Sequence, residues 1–334
     1  MKIYTIKDIA QKAGVSVTTV SRVLNHRPDV NPQTREKVEQ VMRACNFVGN
    51  ANARGLKMPD EDVVAVILRG HGNSFLTQVA ESMLQMAAGR KIPFILEFID
   101  ERADEFDAAM RLMHEKRATA FIFVGSRIDG RAKVLAGQDV PMVFTTVDPT
   151  GTLLESAGSV QIDEHAMGYL AMKTLLERGH RKVAIFGGAH DGGDSLAQRY
   201  DGALEAFHDF GLTFDESRFE LTRFSFKGGY DAARAHFAVK GDTTAVFAMS
   251  DMIAIGAIRA LQDMGKRVPE DVSVFGFDGI ENGKYCYPRL TTIEQPVKEL
   301  AENSVQLLLD MIEKKLPAQH ITVEARLQMR ESVK

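Results

Sequence analysis

The sequence lacks the features that mark secreted and membrane-spanning proteins. Cys45 and Cys286 are the only cysteines in 334 residues, a usage that argues against a disulfide scaffold and indicates a reducing compartment. No apolar run approaches the roughly 20 residues that cross a bilayer, and the opening residues, MKIYTIKDIAQKAG, do not form a secretion signal. We therefore expect a soluble cytoplasmic protein.

The common catalytic and cofactor motifs are also missing. The segment IFGGAHDGG, residues 185–193, looks like a phosphate-binding loop but does not have the G-x-G-x-x-G spacing, and no GK[ST] occurs anywhere. The nine histidines form no H-E-x-x-H and no His/Cys cluster, and there is no G-x-S-x-G nucleophile elbow. We expect neither an enzyme nor a cofactor or metal site.

Basic residues are slightly fewer than acidic residues in the whole chain, but they are distributed unevenly. The whole chain has a net charge of −4, which alone argues against a nucleic-acid-binding protein. Residues 1–60 nevertheless contain ten Lys or Arg against five Asp or Glu, so this segment carries +5 and the remaining residues carry −9. A small basic segment attached to an acidic body favours a polyanion-binding module.

The basic segment contains signals for three short helices. The segment IKDIAQKA (6–13) is followed by Gly14, which allows a sharp turn, and Ser16 is a suitable N-cap for a second helix over residues 17–25. A third helix is expected from Asn31 and Pro32 through QTREKVEQVMRAC. Two short helices joined by a tight turn with glycine are the helix-turn-helix arrangement.

The second of these helices has one apolar face and one polar face. With Val20 and Val23 turned inward, the outward residues include Thr18 and Arg22. In a helix-turn-helix protein this face meets base edges in the major groove, where an arginine can donate two hydrogen bonds to guanine. The alternative is that Arg22 only solvates the surface of a helical bundle.

The rest of the chain alternates β-rich runs with amphipathic segments, which predicts an α/β fold of parallel sheets covered on both faces. The number of such units exceeds one sheet, so we expect two subdomains with a ligand in the cleft between them. The expected strands are 63–68, 93–99, 120–125, 141–147, 182–188, 244–249 and 272–277. The expected helices are 75–90, 104–116, 165–179, 195–210, 228–238, 251–264 and 297–313.

Several segments together resemble the LacI/GalR family of bacterial transcription regulators. They are TIKDIAQKAGVSVTTVSRVLN, VNPQTREKVEQVM, ANARGLK (51–57), VQIDEHAMGYLAMKTLLERGHRKVAIFGG (160–188), MSDMIAIGAIRALQDMGKRVPEDVSVFGFDGI (249–280) and YPRLTTIEQP (287–296). The resemblance implies an all-α helix-turn-helix head and an α/β body made of two doubly wound parallel-sheet subdomains of periplasmic-binding-protein type I.

The resemblance also implies a domain organisation in which each subdomain is discontinuous. A helix-turn-helix DNA-binding domain spans 1–48, a hinge helix and linker span 49–60, and an effector-binding and dimerisation domain spans 61–334. Within that body, the N-subdomain takes approximately 61–160 and 291–320. The C-subdomain takes approximately 161–290 and 321–330.

The DNA-binding residues that the resemblance implies lie in the head and the hinge. In the family, a hinge leucine wedges between base steps in the minor groove, and Leu56 matches it. Gly49 stands where the family usually has proline. The alternative to a hinge helix is a polar linker in which Leu56 has no special role. The full set is Thr5, Ser16, Val17, Thr18, Ser21, Arg22, Asn25, Asn50, Ala53, Arg54 and Leu56.

The implied effector-binding residues lie at strand ends of the body. Arg199 and Asp278 match positions that hold ligand hydroxyls or a carboxylate; without the resemblance, a surface ion pair and a helix cap would be the expected roles. Arg69, where an acid is common, predicts with Arg127 a more cationic cleft, which raises the case for a sugar acid or sugar phosphate. The full set is Arg69, Phe75, Arg127, Asp163, Arg199, Phe224, Ser250 and Asp278.

The function that the resemblance implies is a sequence-specific transcriptional regulator, most simply a repressor of a carbohydrate-utilisation operon. Its expected partners are a pseudo-palindromic double-stranded DNA operator, a small-molecule effector and a second copy of the chain, in the cytoplasm at the nucleoid. A solute-binding protein of a sugar uptake system is the alternative, but it predicts a signal peptide and no basic head. An α/β enzyme predicts a nucleophile or cofactor motif.

Overall fold

The computed structural model of the protein divides into two compact units, residues 1–61 and 62–334. We call these units the head and the body. The structure describes residues 6–24, 27, 30–44, 63–70, 72–90, 93–128, 130–135, 138, 140–150, 152, 154, 156–190 and 195–334.

The head contains the three helices that the sequence predicts: α1 (Ile6–Ala13), α2 (Val17–Leu24) and α3 (Pro32–Ala44). Gly14 has a φ of +62°, a conformation that favours glycine and turns the chain between α1 and α2. The Ser16 hydroxyl accepts a hydrogen bond from the Thr19 N–H at 3.1 Å and thereby caps α2. The start of α3 is capped in the same way by the side chain of Asn31, which accepts from the Gln33 N–H at 2.9 Å.

A small apolar core holds the three head helices together. Ile9 of α1, Val20 and Val23 of α2, and Val38 of α3 are at most 2% exposed. These positions follow helical spacing, so one face of each helix is buried and the opposite face is available to solvent. The predicted helix-turn-helix arrangement is confirmed.

The body alternates strands and helices from its first element to its last. Its strands are β1 (Val64–Arg69), β2 (Phe94–Ile99), β3 (Ala120–Val124), β4 (Met142–Thr145), β5 (Gly158–Gln161), β6 (Val183–Gly187), β7 (Phe219–Leu221), β8 (Ala245–Ala248), β9 (Ser273–Asp278), β10 (Thr291–Glu294), β11 (His320–Thr322) and β12 (Arg326–Gln328). Its α-helices are α4 (Ser74–Arg90), α5 (Glu105–Lys116), α6 (Glu164–Glu177), α7 (Ser195–Asp209), α8 (Phe226–Val239), α9 (Asp251–Asp263), α10 (Asn282–Tyr285) and α11 (Val297–Glu313).

The strands form two six-stranded sheets. The first sheet has the order β11-β5-β4-β3-β1-β2 and the second β12-β10-β9-β8-β6-β7. All neighbours pair in parallel except β12, which runs antiparallel to β10. Helices cover both faces, so the central strands are apolar throughout; β3, for example, is buried at every position. The predicted α/β fold with two parallel-sheet subdomains is confirmed.

The chain changes sheet three times, and two of these crossovers come later than expected. The first follows β5, which ends at Gln161. Return to the first sheet was expected after 290, but β10 (291–294) still belongs to the second sheet. Departure from the first sheet was expected after 320, but β11 continues to 322. Both differences arise because β10 and β11 are too short for their hydrophobic periodicity to be recognised in the sequence.

Closely packed helix pairs on the second sheet depend on glycine. A Cβ on Gly168 of α6 would lie 2.1 Å from the backbone oxygen of Arg199 in α7, and a Cβ on Gly202 of α7 would lie 2.0 Å from that of His165 in α6. Gly229 of α8 and Gly256 of α9 stand in the same relation, each with a backbone oxygen of the partner helix 2.0 Å away. The two helix backbones therefore touch directly, which no larger residue would permit.

We predict that Gly168→Ala lowers the free energy of unfolding by about 1–3 kcal/mol, because the added methyl must push apart two helix backbones that cannot repack. Urea unfolding monitored by circular dichroism measures the difference. The matched control is Gly241→Ala, where the nearest atom to a new Cβ is an ordinary 3.8 Å away. Equal stability of Gly168→Ala and wild type would contradict the direct backbone contact.

Candidate functional site

The exposed face of α2 carries the residues predicted to read DNA. Ser16, Val17, Thr18 and Arg22 are all exposed, Val17 to 41%, whereas Val20 on the opposite face is fully buried. Ser21 also lies in α2. A helix that presents hydroxyl groups, a methyl-bearing side chain and an arginine from a basic segment has the chemistry of a major-groove reader. The other predicted DNA contacts lie outside the described residues: Thr5, Asn25, Asn50, Ala53, Arg54 and Leu56.

A cleft of about 910 Å³ opens at the carboxyl ends of strands from both sheets of the body. Such strand ends are where α/β folds bind ligands, and the volume is near the upper end for ligand pockets. Six of the eight predicted effector residues line it: Arg69, Phe75, Arg127, Arg199, Phe224 and Asp278.

Two of the predicted effector residues do not line the cleft. Asp163 is instead the N-cap of α6, where its carboxylate accepts a hydrogen bond from the Ala166 N–H at 2.8 Å. Ser250 precedes α9 and is only 1% exposed. Neither is among the residues that line the cleft, so their contact with an effector stays a prediction.

Arg199 lies in the wall of the cleft as part of a buried ion pair. Its Nε and one terminal nitrogen donate to the same oxygen of Glu164, at 2.9 and 2.7 Å, and the other terminal nitrogen donates to the Met249 carbonyl at 2.6 Å. The guanidinium also lies over the ring of Phe277, 3.4 Å from its centroid. Because its side chain is only 5% exposed, Arg199 is held in one orientation, with its remaining N–H bonds as the donors left for a ligand.

Asp278, at the end of β9, is a second acid under the influence of this arginine. Burial raises the pKa of Asp278 well above its ordinary value, against the opposing charge of Arg199. Its carboxylate accepts from the side-chain amide of Gln295 at 3.0 Å, but the amide oxygen of Gln295 has no hydrogen-bond partner although it is buried. Such an orphaned acceptor in a cleft wall is where a ligand hydroxyl can donate.

The backbone is strained at two points on the cleft wall. Asp278 has a φ of +112° and Thr146, at the end of β4, a φ of +77°, both in a region that residues other than glycine rarely adopt. Asp251 secures the loop after Asp278, because its carboxylate accepts from the Ile280 N–H at 2.8 Å and the Thr292 hydroxyl at 2.6 Å. Burial raises the pKa of Asp251 to about 7.

Arg69, which was expected to make the cleft more cationic, has polar and charged partners of its own. Its Nε and one terminal nitrogen donate to the Glu101 backbone carbonyl at 2.8 and 2.5 Å, and its other terminal nitrogen lies 3.6 Å from the carboxylate of Glu105. Glu105 is 2% exposed and also accepts from the Arg127 N–H at 2.9 Å. Glu105 therefore offsets part of the positive charge that Arg69 was expected to add to the cleft.

Two aromatic rings provide the apolar part of the cleft. Phe75 is 3% exposed and lies in the first turn of α4, whose start is capped by Asn73 through a hydrogen bond from the Phe75 N–H at 3.1 Å. Phe224 lies against the glycine that follows β6, since a Cβ on Gly188 would be 2.8 Å from its ring. Rings beside polar groups are the usual lining of a site for a partly apolar, hydroxyl-bearing ligand.

Several residues of the cleft were not predicted from the sequence. Glu164 directly follows the predicted Asp163, and Gln295 follows the β-rich run TTIE at a crossover, so their positions after strands were the available signal. Glu105 gave no such signal, because its partner Arg69 is 36 positions away in the chain. No group of three or more His, Cys, Asp or Glu that could hold a metal occurs in the parts of the chain that the structure covers.

Comparison with known proteins places this architecture in a family. Residues 5–50 match the family described as bacterial regulatory proteins, lacI family, and residues 172–333 match the periplasmic binding protein-like domain. The HTH-type transcriptional regulator MalR of Clostridium butyricum is 32% identical, with 98% of each chain covered. The chain belongs to the LacI family.

Other relatives agree with this assignment. The HTH-type transcriptional repressor PurR of Erwinia tasmaniensis is 33% identical over 98% of this chain and 96% of its own. Among solved structures, a transcriptional regulator CelR–cellobiose complex has a TM-score of 0.73 at 27% identity, covering 98% and 99% of the two chains. A LacI family regulator from Enterococcus faecium with bound ribose has a TM-score of 0.70 at 27% identity, covering 81% and 98%.

The family assignment gives the chain its general function. The chain is a helix-turn-helix transcriptional regulator that responds to a small-molecule effector, and its named relatives are regulators rather than enzymes. Among the described residues, no helix is long and apolar enough to cross a membrane.

Glu105 provides a test of the cleft electrostatics through pH. Burial raises its pKa from 4.5 to about 7, although Arg69 and the Arg127 N–H oppose the shift. The folded protein therefore binds this proton more tightly than the unfolded chain, and the resulting stability is complete below about pH 4.5 and lost as the pH rises through 7. We predict a decline in Tm between pH 5 and pH 8.

Glu105→Gln should make that decline shallower, by the equivalent of about 1–3 kcal/mol, because it removes one of the buried carboxyl groups that bind a proton more tightly in the folded protein. Differential scanning calorimetry at a series of pH values measures it. Glu115→Gln, an exposed carboxyl on the same helix, is the matched control and should leave the slope unchanged. Parallel slopes for wild type and Glu105→Gln would refute the assignment.

Proposed function

We propose that the protein is a repressor of a carbohydrate-utilisation operon, which binds a pseudo-palindromic operator as a homodimer and responds to a neutral sugar bound in the cleft. The observation that carries the effector assignment is the cluster of Arg199, Glu164, Asp278 and Gln295, which presents fixed donors and an orphaned acceptor beside two aromatic rings. Hydroxyl groups, which both donate and accept, suit this arrangement better than a single charged group does.

The charge distribution supports a neutral effector over a sugar acid or sugar phosphate. Arg199 is paired with Glu164, and Arg69 is paired with Glu105 and with the Glu101 carbonyl. An anionic effector would have to compete with these buried carboxylates, and disturbing a buried ion pair leaves an uncompensated charge. The solved relatives named above contain cellobiose or ribose, both neutral sugars.

On the DNA side, the proposal uses the exposed face of α2 as the base-reading surface. Arg22 would donate to a guanine, and Val17 and Thr18 would contact neighbouring base edges. A homodimer would place two such helices about 34 Å apart in successive major grooves. An effector with different affinities for two arrangements of the body would shift the equilibrium between them and so change operator affinity.

The proposal is tested by two assays on the full chain. A gel-shift titration against DNA upstream of the gene and its neighbours should show a specific complex that weakens steeply with salt. A thermal-shift panel of glucose, ribose, cellobiose, maltose, gluconate, glucose 6-phosphate and nucleobases should give stabilisation by a neutral sugar. Specific DNA binding without any sugar effect would refute the effector assignment alone, whereas no specific complex under any condition would refute the repressor.

We predict that Arg22→Ala relaxes base preference at one position of each half-site by about 1–3 kcal/mol, because the bidentate contact with one base is lost. Competition gel shifts with single-base operator variants measure the discrimination. Lys37→Ala on α3, which removes one exposed positive charge from the head, is the control for the loss of charge. Unchanged discrimination by Arg22→Ala would show that it does not read bases.

Gln295 offers the cleanest test of the effector site. Arg199→Ala is unsuitable because it would leave Glu164 buried without its partner, a change that destabilises proteins strongly. Gln295→Met removes the orphaned acceptor at similar volume, together with the amide that donates to Asp278. The affinity for the stabilising sugar should fall about fivefold to tenfold, the worth of one hydrogen bond to the ligand. Isothermal titration calorimetry measures this affinity.

The matched control for Gln295 is Gln328→Met. Gln328 lies in β12 and donates to Glu294 at 2.7 Å, but it is not part of the cleft wall. It should bind the sugar as wild type does, and both variants should bind operator DNA normally. Equal losses in the two variants would indicate a general effect on folding and not a contact with the effector.

A further inference from the structure

One ion pair joins the two subdomains across the mouth of the cleft. Arg223, in the loop after β7 of the second sheet, places its Nε 2.9 Å from a carboxylate oxygen of Glu101, in the loop after β2 of the first sheet. Both residues line the cleft. We propose that this cross-cleft ion pair is a positioning device that holds the cleft closed and sets how readily it opens.

The sheet topology places the cross-cleft ion pair far from the crossovers between the subdomains. Each crossover begins at β5, β10 or β11. Together with β12, these strands lie at one end of their sheets. β2 and β7 are the outermost strands at the opposite end. If the subdomains rotate about the crossovers, the loops after β2 and β7 move farthest, so a contact between them resists opening more effectively than one near the crossovers.

The first-sheet side of the pair is anchored through the main chain. Arg69 of β1 donates twice to the backbone carbonyl of Glu101, and Arg69 is itself next to the buried carboxylate of Glu105. The Glu101 carbonyl accepts from Arg69, whereas the Glu101 side chain is directed to Arg223. The Glu101 side chain can therefore be replaced without removing the hydrogen bonds that hold its loop.

The second-sheet side is equally well anchored. The Thr222 N–H donates to the Gly187 carbonyl at 2.8 Å, which ties the loop to β6. The Ser225 N–H donates to the Arg223 carbonyl at 2.8 Å, and the Ser225 hydroxyl caps α8 by accepting from the Gly228 N–H at 2.9 Å. Hydrogen bonds thus hold each loop to its own subdomain, and the ion pair joins the two loops.

The strength of the pair suits a device that must open. The Arg223 and Glu101 side chains are 58% and 34% exposed, so water and salt screen their attraction and the pair contributes as a surface ion pair does. Loss of the pair should change the equilibrium between the closed and open cleft about twofold to fivefold. The pair therefore favours the closed cleft but does not prevent opening.

Hydrogen–deuterium exchange on the full chain, without any effector, tests the proposal. We expect Glu101→Arg and Arg223→Glu each to accelerate exchange in peptides covering 100–105 and 220–226 about twofold to fivefold, because like charges then face each other. The double reversal, Glu101→Arg with Arg223→Glu, should restore the wild-type rates at low salt. If either side chain had a purely structural role, exchanging the two charges would not restore the wild-type exchange rates.

Matched controls separate the ion pair from general charge effects. Glu313→Arg at the end of α11 and Arg234→Glu on α8 make the same charge changes at exposed positions outside the cleft wall, and neither should alter exchange at the mouth. Identical exchange in wild type and both single reversals, or a double reversal as fast as the singles, would overturn the proposal. The consequence for the effector response rests on the proposed function, but this test uses no sugar and remains informative if the sugar panel fails.

Discussion

The body of the protein depends on the buried ion pair between Arg199 and Glu164. Glu164 begins α6 immediately after the first crossover, and Arg199 lies in α7, so the pair joins the start of the second subdomain to the helix that follows its first strand. Neither charge has appreciable access to water, and each would be costly to bury alone. The pair is therefore a structural requirement and at the same time the fixed polar wall of the cleft.

The packing of α6 against α7 makes this ion pair possible. Gly168 lies one turn after Glu164, and its missing side chain lets the backbone of Arg199 approach directly. With the helices this close, the guanidinium reaches Glu164, the Met249 carbonyl and the ring of Phe277 together. A glycine, which has no side chain, thus helps to determine where the charged group of the site is placed. Local sequence is linked in this way to helix packing and then to ligand chemistry.

Much of the architecture is predictable from local sequence, because local forces determine it. Ser16 and Asn31 cap the helices they were expected to cap, and the longer apolar runs become strands within two residues of their expected bounds. Strands β7, β11 and β12 have three residues each, too few for periodicity to distinguish them from loops. Their existence depends on neighbouring strands that arrive from distant parts of the chain.

The same limit explains why the site was only partly predictable. The sequence shows that Arg69 is a cation after a strand, but whether that charge is available depends on Glu105 and on the Glu101 carbonyl, which only the folded sheet brings to it. This pairing supports the proposed neutral sugar, because paired arginines favour hydroxyl groups where unpaired ones would favour an anion. It also gives Arg69 a second role. By holding the Glu101 main chain and leaving its side chain directed across the cleft, Arg69 connects the polar wall of the site to the contact with Arg223, at the end of the sheets opposite to the crossovers. A ligand that displaced Arg69 would therefore loosen the mouth of the cleft, whereas a neutral ligand accommodated beside it would leave that contact in place.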